Sequence, residues 1–207
     1  MKNKILVGII QLNYGNISSI QNAFRYLKIK SNVVKKPKDL FNCSHVVIPG
    51  VGSFKEAVKT LKKKGWSKAI IEYSKLKKPI LGICLGMQLL FKSSTEEGYS
   101  RGLDLIEGDC KKFKFKNNYS IPHAGFNFVN FDKKIKIFKD IPNNSPFYFI
   151  HSFRIKKTSK KYLSGTTIYG EKFLSVVENK KIIGVQFHPE KSHKYGLQLL
   201  KNFITEY

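Results

Sequence analysis

Residues 77–91 read KKPILGICLGMQLLF, an apolar run in which two glycines, Gly82 and Gly86, flank one cysteine, Cys84. The run begins like a buried strand, PILGI, and continues like a helix, CLGMQLLF. Glycines permit a sharp turn between strand and helix, and such a turn lifts the side chain at its apex above the sheet. At a helix N-terminus, free N–H groups and the helix dipole favour a thiolate. The stretch predicts a nucleophile elbow, with a small buried core cysteine as the alternative.

The segments around this elbow alternate strand patterns with helix patterns. ILVGII precedes apolar residues at helical spacing, with Ser18 as a predicted N-cap. HVVIPG precedes SFKEAVKTL, where Ser53 and Glu56 form an S-x-x-E capping box. This alternation predicts an α/β fold: a doubly wound, mostly parallel sheet of the flavodoxin-like type, with helices on both faces and a site at the carboxyl ends of its strands.

From about Gly108 the pattern changes to short strands separated by turns. We expect these strands to form antiparallel pairs added to the parallel sheet, with ENKK at residues 178–181 as a hairpin turn. A last helix should begin after Ser192 as its cap. The strand patterns are CKKFKF, GFNFVNF, PFYFIHSF, YLSGTTIYG, FLSVVEN and KIIGVQF. No Pro/Gly/Ser-rich linker interrupts the chain, so residues 1–207 are predicted to form a single domain.

The formal net charge of +24 is carried almost entirely by lysines spread along the chain. The chain is also rich in Ile, Asn, Phe and Tyr, which like Lys have AT-rich codons, so genome composition explains the charge better than nucleic-acid binding. Three widely spaced cysteines without a C-x-x-C pair argue against a disulfide framework or a zinc ribbon and favour a reducing, cytoplasmic location. No signal peptide and no apolar run of roughly 18 residues is found, so no membrane role is expected.

A second motif, GVQFHPEKS, supplies a general base for the cysteine. His188 and Glu190 lie two positions apart, just after an apolar strand pattern. Alternate residues of an extended segment face the same way, so the carboxylate can orient the imidazole. Alone, His188 would be a surface histidine at a strand end. Together with the elbow, the pair predicts a Cys-His-Glu triad.

A third motif, IPGVGSF at residues 48–54, can supply an oxyanion hole. Backbone N–H groups of a glycine-flanked turn at a strand end can face a developing negative charge. Gly50, Val51 and Gly52 are candidates for one donor, and the amide of Leu85, which follows the nucleophile, is the other. A plain tight turn explains these glycines equally well.

Nearly end to end, the chain resembles the class I glutamine amidotransferases, and most closely the glutaminase subunits of imidazole glycerol phosphate synthases. The blocks that carry the resemblance, in the family's order, are IPGVGSFKEAVKTLKKKG, PILGICLGMQLLFKSSTEEG, RGLDLIEGDCKKF, IPHAGFN, FYFIHSF and VQFHPEKSHKYGLQLLKNF. The resemblance implies glutamine hydrolysis by a triad of Cys84, His188 and Glu190, with no metal or organic cofactor. It further implies that three residues contact glutamine: Gln88, Glu96 (or its neighbour Glu97) and Gly50.

Because ammonia is mostly ammonium at neutral pH, its release into solvent would lose its reactivity as a nucleophile. The glutaminase motifs span residues 48–190, so we expect the acceptor to lie on a second polypeptide. In the resembled family this partner is a (β/α)-barrel cyclase of histidine biosynthesis. Supply of ammonia for amidation of a surface-polysaccharide sugar is the alternative. A non-catalytic basic interaction module or nucleic-acid-binding module is a second alternative, disfavoured by the intact triad and by the lack of RNP-like aromatics.

Two positions depart from the family pattern. The opening motif, usually D-Y-x-x-G-N, reads QLNYGN, which puts Gln11 at the acidic position. The H-x-G-W-N block reads HAGFN, with Phe126 in place of tryptophan. In the family both regions face the synthase partner, so the departures bear on the partner and acceptor. The remaining histidines and cysteines are expected to be structural or interfacial: His45, His123, His151, His193, Cys43 and Cys110.

Overall fold

The computed structural model describes residues 5–12, 16–115 and 119–207. The Asn13–Gly15 part of the opening motif lies outside the described residues. The first half of the chain alternates strands and helices, as predicted: β1 (Val7–Ile10), α1 (Ile17–Tyr26), β2 (Ser31–Val34), β3 (His45–Ile48), α2 (Phe54–Lys63), α3 (Trp66–Lys75), β4 (Ile80–Ile83) and α4 (Leu85–Leu90).

The second half is rich in strands, again as predicted. Its elements are β5 (Phe91–Ser94), β6 (Ser100–Arg101), β7 (Ile106–Lys112), β8 (His123–Phe131), β9 (Ser145–His151), β10 (Phe153–Ile155), β11 (Leu163–Tyr169), β12 (Glu171–Asn179), β13 (Ile182–Val185) and α5 (His193–Thr205). Short 3₁₀ helices occupy Pro37–Asn42, Lys136–Phe138 and Pro189–Lys191.

The strands form one connected sheet with a parallel half and a mostly antiparallel half, in which β5 and β7 pair in parallel. Its main path runs β2-β1-β3-β4-β13-β12-β10-β7-β5-β6, while β11 joins β12 to β8, and β8 pairs with β9. The neighbours from β2 to β13 are parallel, and β12 is antiparallel to β13. Asn179 pairs with Ile182, so the predicted hairpin turn at ENKK is confirmed. The order of the parallel strands confirms the doubly wound fold.

Helices cover both faces of the parallel strands. Strands β1, β3 and β4 are buried at every position, as strands covered on both faces must be. Helices α1 and α5 contribute to one hydrophobic core, and α2 and α3 to the other. No helix within the described ranges combines the length and apolarity that crossing a membrane requires.

Of the three predicted helix caps, Ser53 is confirmed by a capping hydrogen bond, and Ser192 is confirmed only in its position before α5. Ser53 caps α2 and accepts a hydrogen bond of 3.3 Å from the Glu56 amide. Ser192 precedes α5, but its hydroxyl donates to the His188 carbonyl instead of capping the helix. The prediction for Ser18 was wrong: α1 begins at Ile17, and the N-cap position belongs to Asn16, two residues earlier, whose side chain bonds Glu190 and makes no capping bond.

Candidate active site

Cys84 stands at a sharp turn between β4 and α4, as predicted for an elbow. Its φ of 53° and ψ of −110° are strained for a residue other than glycine. The flanking glycines allow the close packing behind it. A Cβ added to Gly86 would lie 1.8 Å from the Ile48 carbonyl oxygen, and one added to Gly82 would lie 2.6 Å from the Gly86 carbonyl oxygen. The cysteine side chain therefore stands at the carboxyl end of β4.

Sheet register brings the two halves of the predicted triad together. Val185 of β13 pairs with Ile83 of the parallel strand β4, and its carbonyl accepts from the Cys84 amide at 2.8 Å. The residues that follow each strand are consequently neighbours at the same edge of the sheet. His188 lies in this position with an exposure of 1%, which rules out the alternative of a surface histidine.

The imidazole of His188 is held by a buried carboxylate. Its Nδ1 donates to Glu190 Oε1 at 2.7 Å, and the same oxygen accepts from Asn16 Nδ2 at 2.7 Å. Burial by itself would lower the pKa of His188. The negative charge of Cys84 and the bond to Glu190 outweigh burial and raise that pKa to about 10. The site thus favours the protonated imidazolium form of His188 at neutral pH.

The Cys84 sulfur opens into a cavity of about 340 Å³. The residues lining it are Val51, Gly52, Cys84, Leu85, Gln88, Glu96, Pro122, Ile150, His151, Ser152 and Phe153. Six of the nine site residues predicted from the sequence line this cavity, and His188 and Glu190, which are buried, do not line it. The ninth, Gly50, differs: it packs against the elbow, where an added Cβ would lie 2.6 Å from the Leu85 Cβ.

Glu96 faces the cavity, whereas its neighbour Glu97 does not line it. Glu96 Oε2 accepts from the Phe54 amide at 2.7 Å, and burial raises the pKa of this carboxyl group. The Glu97 carbonyl instead accepts from the exposed Lys55 ammonium at 2.8 Å. This geometry favours Glu96 over Glu97 as the substrate contact.

Two histidines form a buried hydrogen-bonded chain beside the cavity. His151 Nδ1 lies 2.8 Å from the Phe153 carbonyl, which can only accept, so Nδ1 carries the proton. Its Nε2 must then accept from His123 Nδ1 at 3.2 Å, and His123 Nε2 accepts from Asn127 at 3.3 Å. Burial lowers the pKa of both histidines, to about 3 for His151 and about 4 for His123. Their expected structural role agrees with this geometry.

Sequence reasoning missed two polar residues at the site, Asn16 and Gln186. Gln186 is fully buried and lies between Gln88 and the Cys84 sulfur. Both residues lie in motifs that the sequence analysis used: Asn16 ends QLNYGN, and Gln186 lies in VQFHPE. Their contacts reach Glu190 and Cys84 across 174 and 102 residues respectively, so spacing alone could not reveal them.

A doubly wound sheet whose cysteine elbow faces a buried histidine–glutamate pair defines a class of cysteine-dependent amide hydrolases. The chain belongs to the class I glutamine amidotransferase family, whose family model, "Glutamine amidotransferase class-I", matches residues 10–207. Solved structures agree on the fold. A glutamine amidotransferase superposes with a TM-score of 0.76 at 17% identity, covering 96% of this chain and 97% of its own. PurLQS from Thermotoga maritima superposes with a TM-score of 0.74 at 14% identity, covering 98% and 99%.

Relatives of higher identity carry a more particular name. The chain is 42% identical over 200 residues to imidazole glycerol phosphate synthase subunit HisH 1 of Campylobacter jejuni, covering 96% of this chain and 99% of the relative. It is 40% identical over 205 residues to subunit HisH 2 of Methanococcus maripaludis, covering 97% and 100%. It is 38% identical over 198 residues to subunit HisH of Desulfitobacterium hafniense, covering 96% and 93%.

Proposed function

We propose that this chain is the glutaminase subunit of an imidazole glycerol phosphate synthase. It hydrolyses glutamine and passes the ammonia to a (β/α)-barrel cyclase in histidine biosynthesis. The observation that carries the proposal is the buried His188–Glu190 pair beside the Cys84 elbow, whose cysteine lines a cavity of about 340 Å³. The names of the relatives support the particular synthase. We further propose that the chain is one glutaminase domain that works in the reducing cytoplasm, which suits its three free cysteines.

The chemistry begins with attack of the Cys84 thiolate on the carboxamide carbon of glutamine. The carbonyl oxygen becomes an oxyanion, for which the amides of Val51 and Leu85, with Gly52 beside them, are the proposed donors. The His188 imidazolium gives its proton to the departing nitrogen, so ammonia leaves and a γ-glutamyl thioester remains. The neutral imidazole then takes a proton from water, whose oxygen attacks the thioester and releases glutamate.

Two side chains on the cavity wall suit the free amino-acid end of glutamine. The Glu96 carboxylate can pair with the α-ammonium group. The Gln88 carboxamide is fixed by bonds of 3.0 Å to the Phe153 carbonyl and 3.1 Å to Gln186 Oε1, so it presents a rigid polar surface beside the nucleophile. Substrate contact by these residues follows from this arrangement and from the family resemblance.

An exposed apolar face adjoins the cavity and suits the cyclase. Its members project from β8, β9 and β11 and are each more than two-fifths exposed: Phe126, Phe128, Ile150 and Ile168. Ile150 also lines the cavity. A patch of this kind marks a protein interface, and an interface here would keep ammonia away from bulk water.

One observation favours a second acceptor. Phe126, which stands where the family has tryptophan, stacks on His193 with ring centroids 5.3 Å apart and an interplanar angle of 10°. Phe126 and Gln11 both depart from the family pattern in regions that face the synthase partner in the family. The catalytic groups, in contrast, match the family pattern. A partner that amidates a surface-polysaccharide sugar is therefore the second candidate.

Reconstitution with each partner distinguishes the two functions. We expect the isolated chain to release glutamate slowly, because the glycine-flanked turn at Val51 suits an oxyanion hole that is completed only on docking. The histidine-pathway cyclase with its phosphoribosyl acceptor analogue should speed glutamate release by orders of magnitude. Acceleration only by an acetamido-sugar amidotransferase would establish the second candidate, and full-rate hydrolysis by the chain alone would contradict gating.

A further inference from the structure

Gln186 follows β13 and precedes His188 by two residues, and its side chain touches the nucleophile. The residue is fully buried, and its backbone N–H donates to the Ser175 carbonyl at 2.9 Å. Its Nε2 lies 3.7 Å from the Cys84 sulfur, within the range of hydrogen bonds to sulfur, and its Oε1 lies 3.1 Å from Gln88 Nε2.

The orientation of the Gln186 carboxamide follows from its neighbours. The Phe153 carbonyl can only accept, so the group that faces it at 3.0 Å must be the NH₂ of Gln88. The second hydrogen of that NH₂ needs an acceptor, which fixes Oε1 of Gln186 toward Gln88. Its Nε2 must then point at the Cys84 sulfur, and the usual ambiguity between amide oxygen and nitrogen does not arise.

The sulfur lies between two groups with opposite preferences. The Ile150 carbonyl, 3.8 Å from the sulfur, accepts from an S–H group and so favours the thiol. An N–H donor favours the charged thiolate, because hydrogen bonds to an ionised acceptor are roughly twice as strong as neutral ones. Gln186 Nε2 therefore favours the form that attacks substrate.

We propose that Gln186 is a catalytic residue of the proposed glutaminase: its Nε2–H donates to the Cys84 sulfur and stabilises the attacking thiolate. The inference rests on the proposed function only for the identity of the substrate. The same bond positions the sulfur at the floor of the cavity. Because Gln186 Oε1 also accepts from Gln88, the same side chain connects the nucleophile with Gln88 on the cavity wall.

The test is the alkylation rate of Cys84 by iodoacetamide in the folded full-length chain, followed by mass spectrometry of the peptide that holds it. Gln186→Leu removes the donor, and we expect alkylation to slow by about tenfold or more. Gln186→Glu keeps an acceptor toward Gln88 but replaces the donor with oxygen, so alkylation should slow at least as much. This second, polar variant keeps the test valid if leucine does not fold.

One control separates the effect of the contact with sulfur from the effect of losing a buried amide. Asn202 is equally buried and bonds the carbonyls of Ile137 and Lys139, away from the site. Asn202→Leu should lower the unfolding temperature and leave Cys84 alkylation at the wild-type rate.

Wild-type alkylation rates in both folded Gln186 variants would overturn the proposal, as would equal slowing in Asn202→Leu. The assay uses neither glutamine nor a partner, so it is independent of the proposed function. A wild-type chain that releases no glutamate with any partner would defeat the proposed function while leaving a slowed alkylation of Gln186→Leu intact.

Discussion

At the scale of single residues, the site depends on how firmly a few side chains are held. Cys84 keeps a backbone conformation that costs a non-glycine residue about 1–3 kcal/mol. The imidazole of His188 is fixed through Glu190, and Glu190 is fixed in turn by Asn16. A strained nucleophile and an oriented base of this kind are typical of covalent catalysis.

Asn16 should act as a positioning residue. Asn16→Ala removes the bond to Glu190 Oε1, so we expect kcat for glutamine hydrolysis to fall by about tenfold with KM unchanged, because the imidazole loses its orientation but the cavity does not change. The measurement is steady-state glutamate release in the presence of the partner. Ser18→Ala, an exposed change on the same helix, is the control and should have no effect. A change in KM alone would contradict this role.

The predictability of the site differs from residue to residue. Cys84, His188 and Glu190 could be predicted, because each lies in a short motif whose local geometry follows from flanking glycines or from alternation along a strand. Asn16 and Gln186 could not, because their roles depend on contacts made across the sheet. The bond between Asn16 and Glu190 in particular leaves no local signal in the sequence.

At the scale of elements, the elbow depends on the close approach of β3 to α4. Its Gly86 Cα faces the Ile48 carbonyl with no room for a side chain. Strand β3 ends at Ile48 and leads into the turn at Val51. The contact between Gly86 and Ile48 therefore sets the distance between the nucleophile and the proposed oxyanion donor. Packing of one element thus determines the geometry of another.

Gly86→Ala should therefore be strongly destabilising. The added Cβ would lie 1.8 Å from backbone oxygen, which cannot move without displacing β3, and we expect a loss of more than about 3 kcal/mol in the free energy of unfolding. Denaturant titration measures this loss. Gly98→Ala is the control: it has a φ of 93° but open space around it, so only a backbone cost of about 1–2 kcal/mol is expected. Equal effects in the two variants would contradict the packing argument.

Many elements could be predicted from periodicity, but the short strands β2, β5 and β6 were not predicted, and two further segments also differ from the prediction. Helix α3 was not predicted, because LKKKGW resembles a solvated loop, although Trp66, Ala69, Ile70 and Tyr73 have the i, i+3, i+4, i+7 spacing of a buried helix face. The predicted strand CKKFKF was displaced: β7 ends at Lys112, and Phe113 instead packs into an aromatic cluster with Phe173 and His151. Tertiary packing there outweighs local alternation.

At the scale of the whole molecule, buried neutral histidines should make the fold sensitive to acid. Burial, with a smaller contribution from Lys181, lowers the pKa of His45 to about 4, and burial lowers those of His123 and His151 to about 4 and about 3. The raised pKa of His188 acts oppositely, since its stabilisation is complete below about pH 6.5 and is lost as the pH rises toward 10.

Between about pH 6.5 and pH 4 the unfolded chain binds protons at His45, His123 and His151 that the folded chain does not bind. Stability should therefore fall with falling pH, by up to about 1.4 kcal/mol per pH unit for each histidine. Denaturant titrations across this range measure how steeply the free energy of unfolding changes with pH. His45→Asn removes one of the three histidines, so it should reduce this slope by up to about 1.4 kcal/mol per pH unit. An unchanged slope in that variant would contradict the assignment of His45 as buried and neutral.

The net charge of +24 is expected to give only weak binding to DNA. The basic residues include a cluster on β7, β10 and the segments after them, formed by Lys111, Lys112, Lys114, Arg154, Lys156 and Lys157. Contacts of such lysines to phosphate are lost steeply as salt rises. Binding to duplex DNA should vanish by physiological salt in a fluorescence-anisotropy titration. Sequence-selective binding that survives there would restore the nucleic-acid interpretation.

If Cys84 is the nucleophile, the γ-glutamyl group of every hydrolysed glutamine passes through its sulfur as a thioester. The most direct measurement is mass spectrometry of the chain, quenched in acid during glutamine turnover in complex with its partner. We expect a γ-glutamyl adduct on the peptide that holds Cys84. The Cys84→Ala variant should lack the adduct and glutamine-dependent synthesis, yet still support synthesis from added ammonium salt. An adduct on another residue, or glutamate release retained by Cys84→Ala, would contradict the role of Cys84.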